Sequence, residues 1–199
     1  MKKLLIAAAA SMMLSAAYAA PTYTYSVAPS GSYADTGGTE LTDTVIGSAG
    51  WGVNSGRWVG WDNKPIINID FDFGGQYNFS AVSVGSTQDS TYGLLRLPDV
   101  VVSSWNGSSW VQQGNLDITF STADDKDWQD PSPHTWLTVS GLTFNSDKVR
   151  VTLNSNGQKW VFADEVQFTA TPVPEPETYA MMLAGLGALG FMARRRQGK

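Results

Sequence analysis

Polar and apolar residues alternate through the middle of this chain. Ile67, Ile69, Phe71 and Phe73 interleave with Asn68, Asp70 and Asp72, so an extended segment here turns its apolar side chains to one side and its polar ones to the other. The same period of two recurs at Val149, Val151 and Leu153, and more weakly over 77–84, 100–104 and 136–142. No interior stretch keeps the helical period of about 3.6. Asn106-Gly107 stands between two of these runs and predicts a hairpin joining 100–104 to 109–113. With 20 Gly and 9 Pro breaking the chain into short pieces, the pattern predicts an all-β fold, a jelly-roll β-sandwich of about eight or nine strands. No internal repeat is visible.

The two ends follow different rules. Lys2 and Lys3, the apolar run from Leu4 to Leu14, and Ala17-Tyr18-Ala19 form the three parts of a secretory signal peptide over residues 1–20. At the other end, Pro172, Pro174 and Pro176 impose an extended strip, followed by an apolar run from Tyr179 to Ala193 and then Arg194-Arg195-Arg196. That run spans about 22 Å as a helix, short against a hydrocarbon core of about 30 Å. The basic cluster behind it sets a positive-inside orientation, with the exported chain on the far side.

The order Val173-Pro174-Glu175-Pro176-Glu177-Thr178, apolar helix, arginine cluster resembles the PEP-CTERM sorting signal of Gram-negative bacteria. The resemblance covers 172–199 and implies processing by an exosortase-type enzyme at the Pro-Glu-Pro region. It also implies passage through the inner membrane on the C-terminal helix, then delivery to the cell surface or an exopolysaccharide matrix.

Residues 21–173 carry seven Lys and Arg against 16 Asp and Glu, a net charge near −9. That balance disfavours nucleic acid and anionic membranes as partners and suits calcium or neutral and cationic ligands. With no cysteine and only His134, disulfide frameworks, thiolate zinc sites, cysteine nucleophiles and multi-histidine metal sites are excluded.

Within 21–171, the segment from Tyr33 to Asp43 is followed by Pro98-Asp99-Val100-Val101-Val102-Ser103, Asn-Gly with Trp110, Lys148-Val149-Arg150-Val151, and Trp160 to Val166. This order resembles discoidin-like, galactose-binding-like domains. The resemblance implies a structural Ca²⁺ joining Asp43 to Glu165, with backbone carbonyls near Glu40 and Asp164 completing the six to eight oxygens that the ion takes. Thr44 stands where that family often has Gly. The alternative is that Asp43 caps a turn and Glu165 is solvated.

Eight tryptophans offer a second kind of chemistry. Trp51, Trp58 and Trp61 lie in a glycine-rich stretch that reads as a loop, where indole faces stack on sugar rings while Asn54, Arg57 and Asp62 read hydroxyls. A core role is the alternative for these three, and it is the expectation for Trp110 and Trp160. Asp124, Asp125, Asp127 and Asp130 form an acidic run that lacks the Gly and closing Glu of an EF-hand. No Gly-x-Ser-x-Gly elbow partners His134.

Together these features predict an exported, non-catalytic module that binds a polysaccharide or matrix glycan. Two other readings stay open: a structural or adhesion protein of the matrix that contacts other proteins, and a glycosidase built on the acidic run.

Overall fold

The computed structural model describes residues 20–197 except 54, 93, 94, 132, 133 and 175. Residues 1–19 of the expected signal peptide, Asn54 and Glu175 lie outside the described residues, as do the side chains of Pro176, Arg195 and Arg196. Eight strands are present among the described residues: β1 (Thr22–Tyr25), β2 (Val59–Asp62), β3 (Ile66–Ser86), β4 (Asp99–Trp105), β5 (Trp110–Leu116), β6 (Thr135–Asn154), β7 (Trp160–Ala163) and β8 (Glu165–Pro172). A helix, α1 (Pro176–Gln197), follows.

β3 and β6 are long, antiparallel and bent, and they run through both layers of a sandwich. Their first pairing, 66–72 against 148–154, extends through β1 on one side and β4 and β5 on the other. Their second, 77–86 against 135–146, carries β8 instead. The change of layer falls at a register shift between Asp72 and Tyr77, where Gly74 adopts φ 67°, a left-handed conformation that costs glycine little. The layers face each other: the Phe71 ring lies 4.8 Å from Phe168 of β8, and Gly114 of β5 packs under Val139 and Leu142 of β6.

Sequence alternation becomes burial. Ile67, Ile69, Val149, Val151 and Leu153 are fully buried and Phe71 nearly so, each stabilising the fold by about 1.5–3 kcal/mol before entropy is counted. Asn68, Asp70 and Asp72 face outward in the same strand. The expected hairpin joins β4 to β5, with Asn106 Oδ1 accepting from Ser108 N at 3.0 Å and Ser109 N at 2.9 Å, and Gly107 at φ 96°. A separate ribbon, β2 against β7, carries a second apolar cluster of Trp58, Leu95 and Phe162.

β8 leads directly into the tail. Pro172 pairs with Tyr77, and Val173 N donates to Gln76 O at 2.9 Å before α1 begins. Met181, Leu183, Leu186, Leu189 and Phe191 of α1 are exposed. Among the described residues no helix is long and apolar enough to cross a membrane.

Candidate functional site

The tryptophan loop does not present the surface expected of it. Trp58 and Trp61 are 1% and 0% exposed, each with its indole N–H spent on a carbonyl: Trp58 Nε1 on Ala49 O and Trp61 Nε1 on Val27 O, both 3.2 Å. A buried indole needs such an acceptor, and finding one fixes these two rings as core. Trp51 is half-buried and stacked on Phe162 at 6.0 Å. Arg57 pairs with Asp43 at 3.5 Å, whereas Asp62, 3.9 Å from Lys159 Nζ, belongs to the end of β2. The expected ligand set of Trp51, Arg57, Trp58, Trp61 and Asp62 is therefore dispersed.

The carboxylates divide into two groups. Val166 N donates to Leu41 O at 2.8 Å, stitching the 40–44 loop to β8, and Thr44 N donates to Glu165 Oε2 at 3.2 Å. Thr44 takes φ 66°, the left-handed backbone that explains a glycine preference at this place. Burial and the nearby Asp43 charge push the Glu165 carboxyl up to about 7, and Glu40 is raised by burial and by Asp43 as well.

Asp164 faces elsewhere. Its carboxylate accepts from Gly47 N at 2.9 Å and lies 2.9 Å from His134 Nδ1, while Oδ1 is pressed against Gly85. Asp164 lies at the bend between β7 and β8, and its side chain is committed to Gly47 and His134, so only its backbone carbonyl is left for the expected metal set. Among the described residues no three acidic or histidine side chains converge. Asp43 and Glu165 fit a cation only together with backbone carbonyls, and their mutual repulsion is what such a cation would relieve.

This geometry has a pH consequence. Glu165 holds its proton more tightly in the folded chain than at its ordinary value of 4.5, so the folded state binds more protons than the unfolded one between those two values. Stability attributable to Glu165 therefore falls as pH rises from 4.5 towards about 7. In EDTA, melting curves across this range should show that decline in the parent and a flatter profile in Glu165→Gln.

The acidic run is tied into a loop. Burial alone would raise the Asp125 carboxyl, but hydrogen bonds from Ser90 and Gln88, together with Arg96, hold it below the ordinary range. Asp125 accepts from Gln88 Nε2 at 2.8 Å, from Ser90 N at 3.1 Å and from Ser90 Oγ. Asp127 Oδ1 accepts from Gln129 N at 2.9 Å. Asp125 thus ties the run to the 88–90 segment, and Asp127 binds its own turn.

A concave surface lies on the outer face of the larger layer, in a cleft of about 410 Å³ lined by Thr22, Thr24, Asp70, Asp72, Trp105, Trp110 and Lys148. The register puts Trp105 opposite Trp110 across the hairpin, with ring centroids 5.3 Å apart and planes at 58°. Arg150 stacks 4.5 Å above Trp110 and grips Asp70 with Nε to Oδ1 at 2.6 Å and Nη2 to Oδ2 at 2.8 Å. Lys148 Nζ lies 3.2 Å from Asp72 Oδ2, and Gly74 N donates to Asp72 Oδ1 at 2.9 Å. Trp110, expected in the core, is half-buried on this face, and Trp160 is half-buried in the small ribbon.

Comparison with known proteins separates tail from domain. Residues 172–196 match the PEP-CTERM protein-sorting motif. The chain carries a PEP-CTERM sorting tail and is exported. No curated protein matches the chain. The sandwich is similar to a fucolectin from striped bass (Morone saxatilis) serum, with a TM-score of 0.54 and 13% identity over 79% of this chain and 49% of that one. It is also similar to the C-terminal domain of a chitobiase from Bacteroides fragilis, with a TM-score of 0.53 and 10% identity over 77% of this chain and 96% of that one. Against a GH29 fucosidase of Ruminococcus gnavus the chain spans 25% of the matched protein. The likenesses to the fucolectin and the chitobiase domain show a discoidin-like fold ahead of the sorting tail.

Proposed function

We propose that the protein is a non-catalytic saccharide-binding module, delivered by its PEP-CTERM tail through exosortase-type processing to the cell surface or a polysaccharide matrix. The observation that carries this reading is the Trp105–Trp110 pair, whose rings border a cleft that also holds two carboxylates, an ammonium group and two threonines. Indole faces pack on the C–H faces of sugar rings, and the polar groups exchange hydrogen bonds with hydroxyls. Similarity in fold to a fucolectin supports it. The Asp125 hydrogen bonds support a non-catalytic role, because they commit the middle of the acidic run to loop structure.

A calcium ion between Asp43 and Glu165 belongs to the same proposal as a structural staple, closed by backbone carbonyls. When bound, it would supply charge that neutralises the buried Glu165 carboxylate and the partly exposed Asp43 one, and would couple the 40–44 loop to β8. Addition of about 1 mM Ca²⁺ to EDTA-treated protein at neutral pH should raise the melting temperature, and Asp43→Ala should abolish the rise. Titration of the purified protein with a saccharide panel, followed by tryptophan fluorescence, should give a saturable shift. Absence of a shift with every saccharide would move the assignment to protein-mediated adhesion.

A further inference from the structure

The charges of the cleft indicate what kind of saccharide enters it. Asp70 is held by Arg150 through two bonds of 2.6 and 2.8 Å, and Asp72 faces Lys148 at 3.2 Å. Each cation is thus matched by a carboxylate on the neighbouring strand, and the charges cancel across β3 and β6.

An anionic ligand is poorly served there. A uronate or sulfate entering beside Trp105 would meet two carboxylates along with the ammonium group, inside a domain that already carries a net charge near −9. Hydroxyl groups meet the opposite situation. A hydroxyl both donates and accepts, so one hydroxyl of a vicinal pair can donate to Asp72 while its neighbour accepts from Lys148. Both side chains are near half exposed, at 46% and 43%, and so are reachable from the cleft. Asp72 is also fixed in place by Gly74 N, and the Arg150 guanidinium stacked on one face of the half-buried Trp110 holds the ring.

We infer that the Trp105–Trp110 cleft binds an uncharged saccharide, taking the ring face on the indoles and a vicinal diol on the Asp72–Lys148 pair. This inference rests on the saccharide-binding reading given above and adds to it the ligand class and the polar contacts.

The test uses the full-length purified protein and calorimetric titration with neutral glucans, galactans and xylans, alongside polygalacturonate and a sulfated galactan. The expected result is saturable binding to a neutral polymer that changes little between roughly 50 and 500 mM NaCl. Trp110→Ala and Lys148→Ala should each weaken it by about tenfold or more. Lys148 is half-exposed, so Lys148→Ala should keep the parent melting temperature and remains informative even if Trp110→Ala unfolds.

Preferential binding of polygalacturonate or sulfated galactan, falling steeply with salt, would overturn the uncharged class while leaving saccharide binding intact. Binding of a neutral polymer that is indifferent to both substitutions would overturn the cleft as its site. No binding to any polymer would overturn both this inference and the reading beneath it.

Discussion

Trp61→Ala should destabilise the fold by about 3–5 kcal/mol, the range for removing a fully buried aromatic side chain. Trp61 has no exposed surface, packs edge-on against Tyr25 at 5.5 Å and gives its indole N–H to Val27 O. Truncation opens a cavity inside β2 and strips Val27 O of its donor, so the packing loss and the unsatisfied carbonyl act together. Urea unfolding of parent and variant measures the difference, and a change below about 1 kcal/mol would show that the site collapses around the missing ring. A saccharide assay on this variant would report unfolding. The cleft residues separate binding from stability better.

The next largest effect is expected at Gly60. A Cβ built there lies 2.4 Å from Phe162 Cε1 and 2.9 Å from Tyr33 Cβ, distances that no relaxed pair of carbons adopts. Phe162 has little room to retreat: it is stacked on Trp160 with planes 1° apart at 5.3 Å, faces Trp51 at 6.0 Å and meets Tyr33 at 4.6 Å. Ser30 N also donates to Gly60 O at 2.8 Å, holding the β2 backbone from its other side. Gly60→Ala should therefore cost about 3 kcal/mol, the upper part of the usual overpacking range. Pairing it with Phe162→Leu should recover part of the loss, and a double-mutant cycle on melting data measures that coupling. Additive effects of the two changes would place the clash elsewhere.

The sandwich was legible because period and burial coincide. Ile67, Ile69 and Phe71 needed only a period of two to be assigned to one face, and all three are buried. The strand count was harder to read. The runs at 67–73 and 77–84 look separate in sequence, yet they form one strand bent at Gly74, because a bulge changes direction without ending the hydrogen-bonded ladder.

Glycine misled the reading of the tryptophans. Gly60 resembles a loop residue but lies in β2 against Phe162, and Gly52, which does lie in a turn, is small because Trp128 presses on it, with a Cβ there falling 2.8 Å from Trp128 Cε3. The cleft had a signal that went unused. Trp105 and Trp110 flank Asn106-Gly107-Ser108-Ser109 symmetrically, and any hairpin closed by that turn makes them a cross-strand pair on one face.

The way β8 passes into the sorting tail has a mechanical consequence. Eight residue pairs join β8 to β3, and the last of them, Pro172 with Tyr77, lies within the sorting motif itself. While the tail remains attached, tension between the domain and the tail enters along β8 with almost no slack to absorb it. Phe168 anchors that strand against Phe71 and Phe73 at 4.8 and 5.0 Å, so yielding would require withdrawing an aromatic ring from the core together with the hydrogen bonds. The rate of unfolding under load is then governed by this one strand, and Phe168 serves as the bolt between tether and domain.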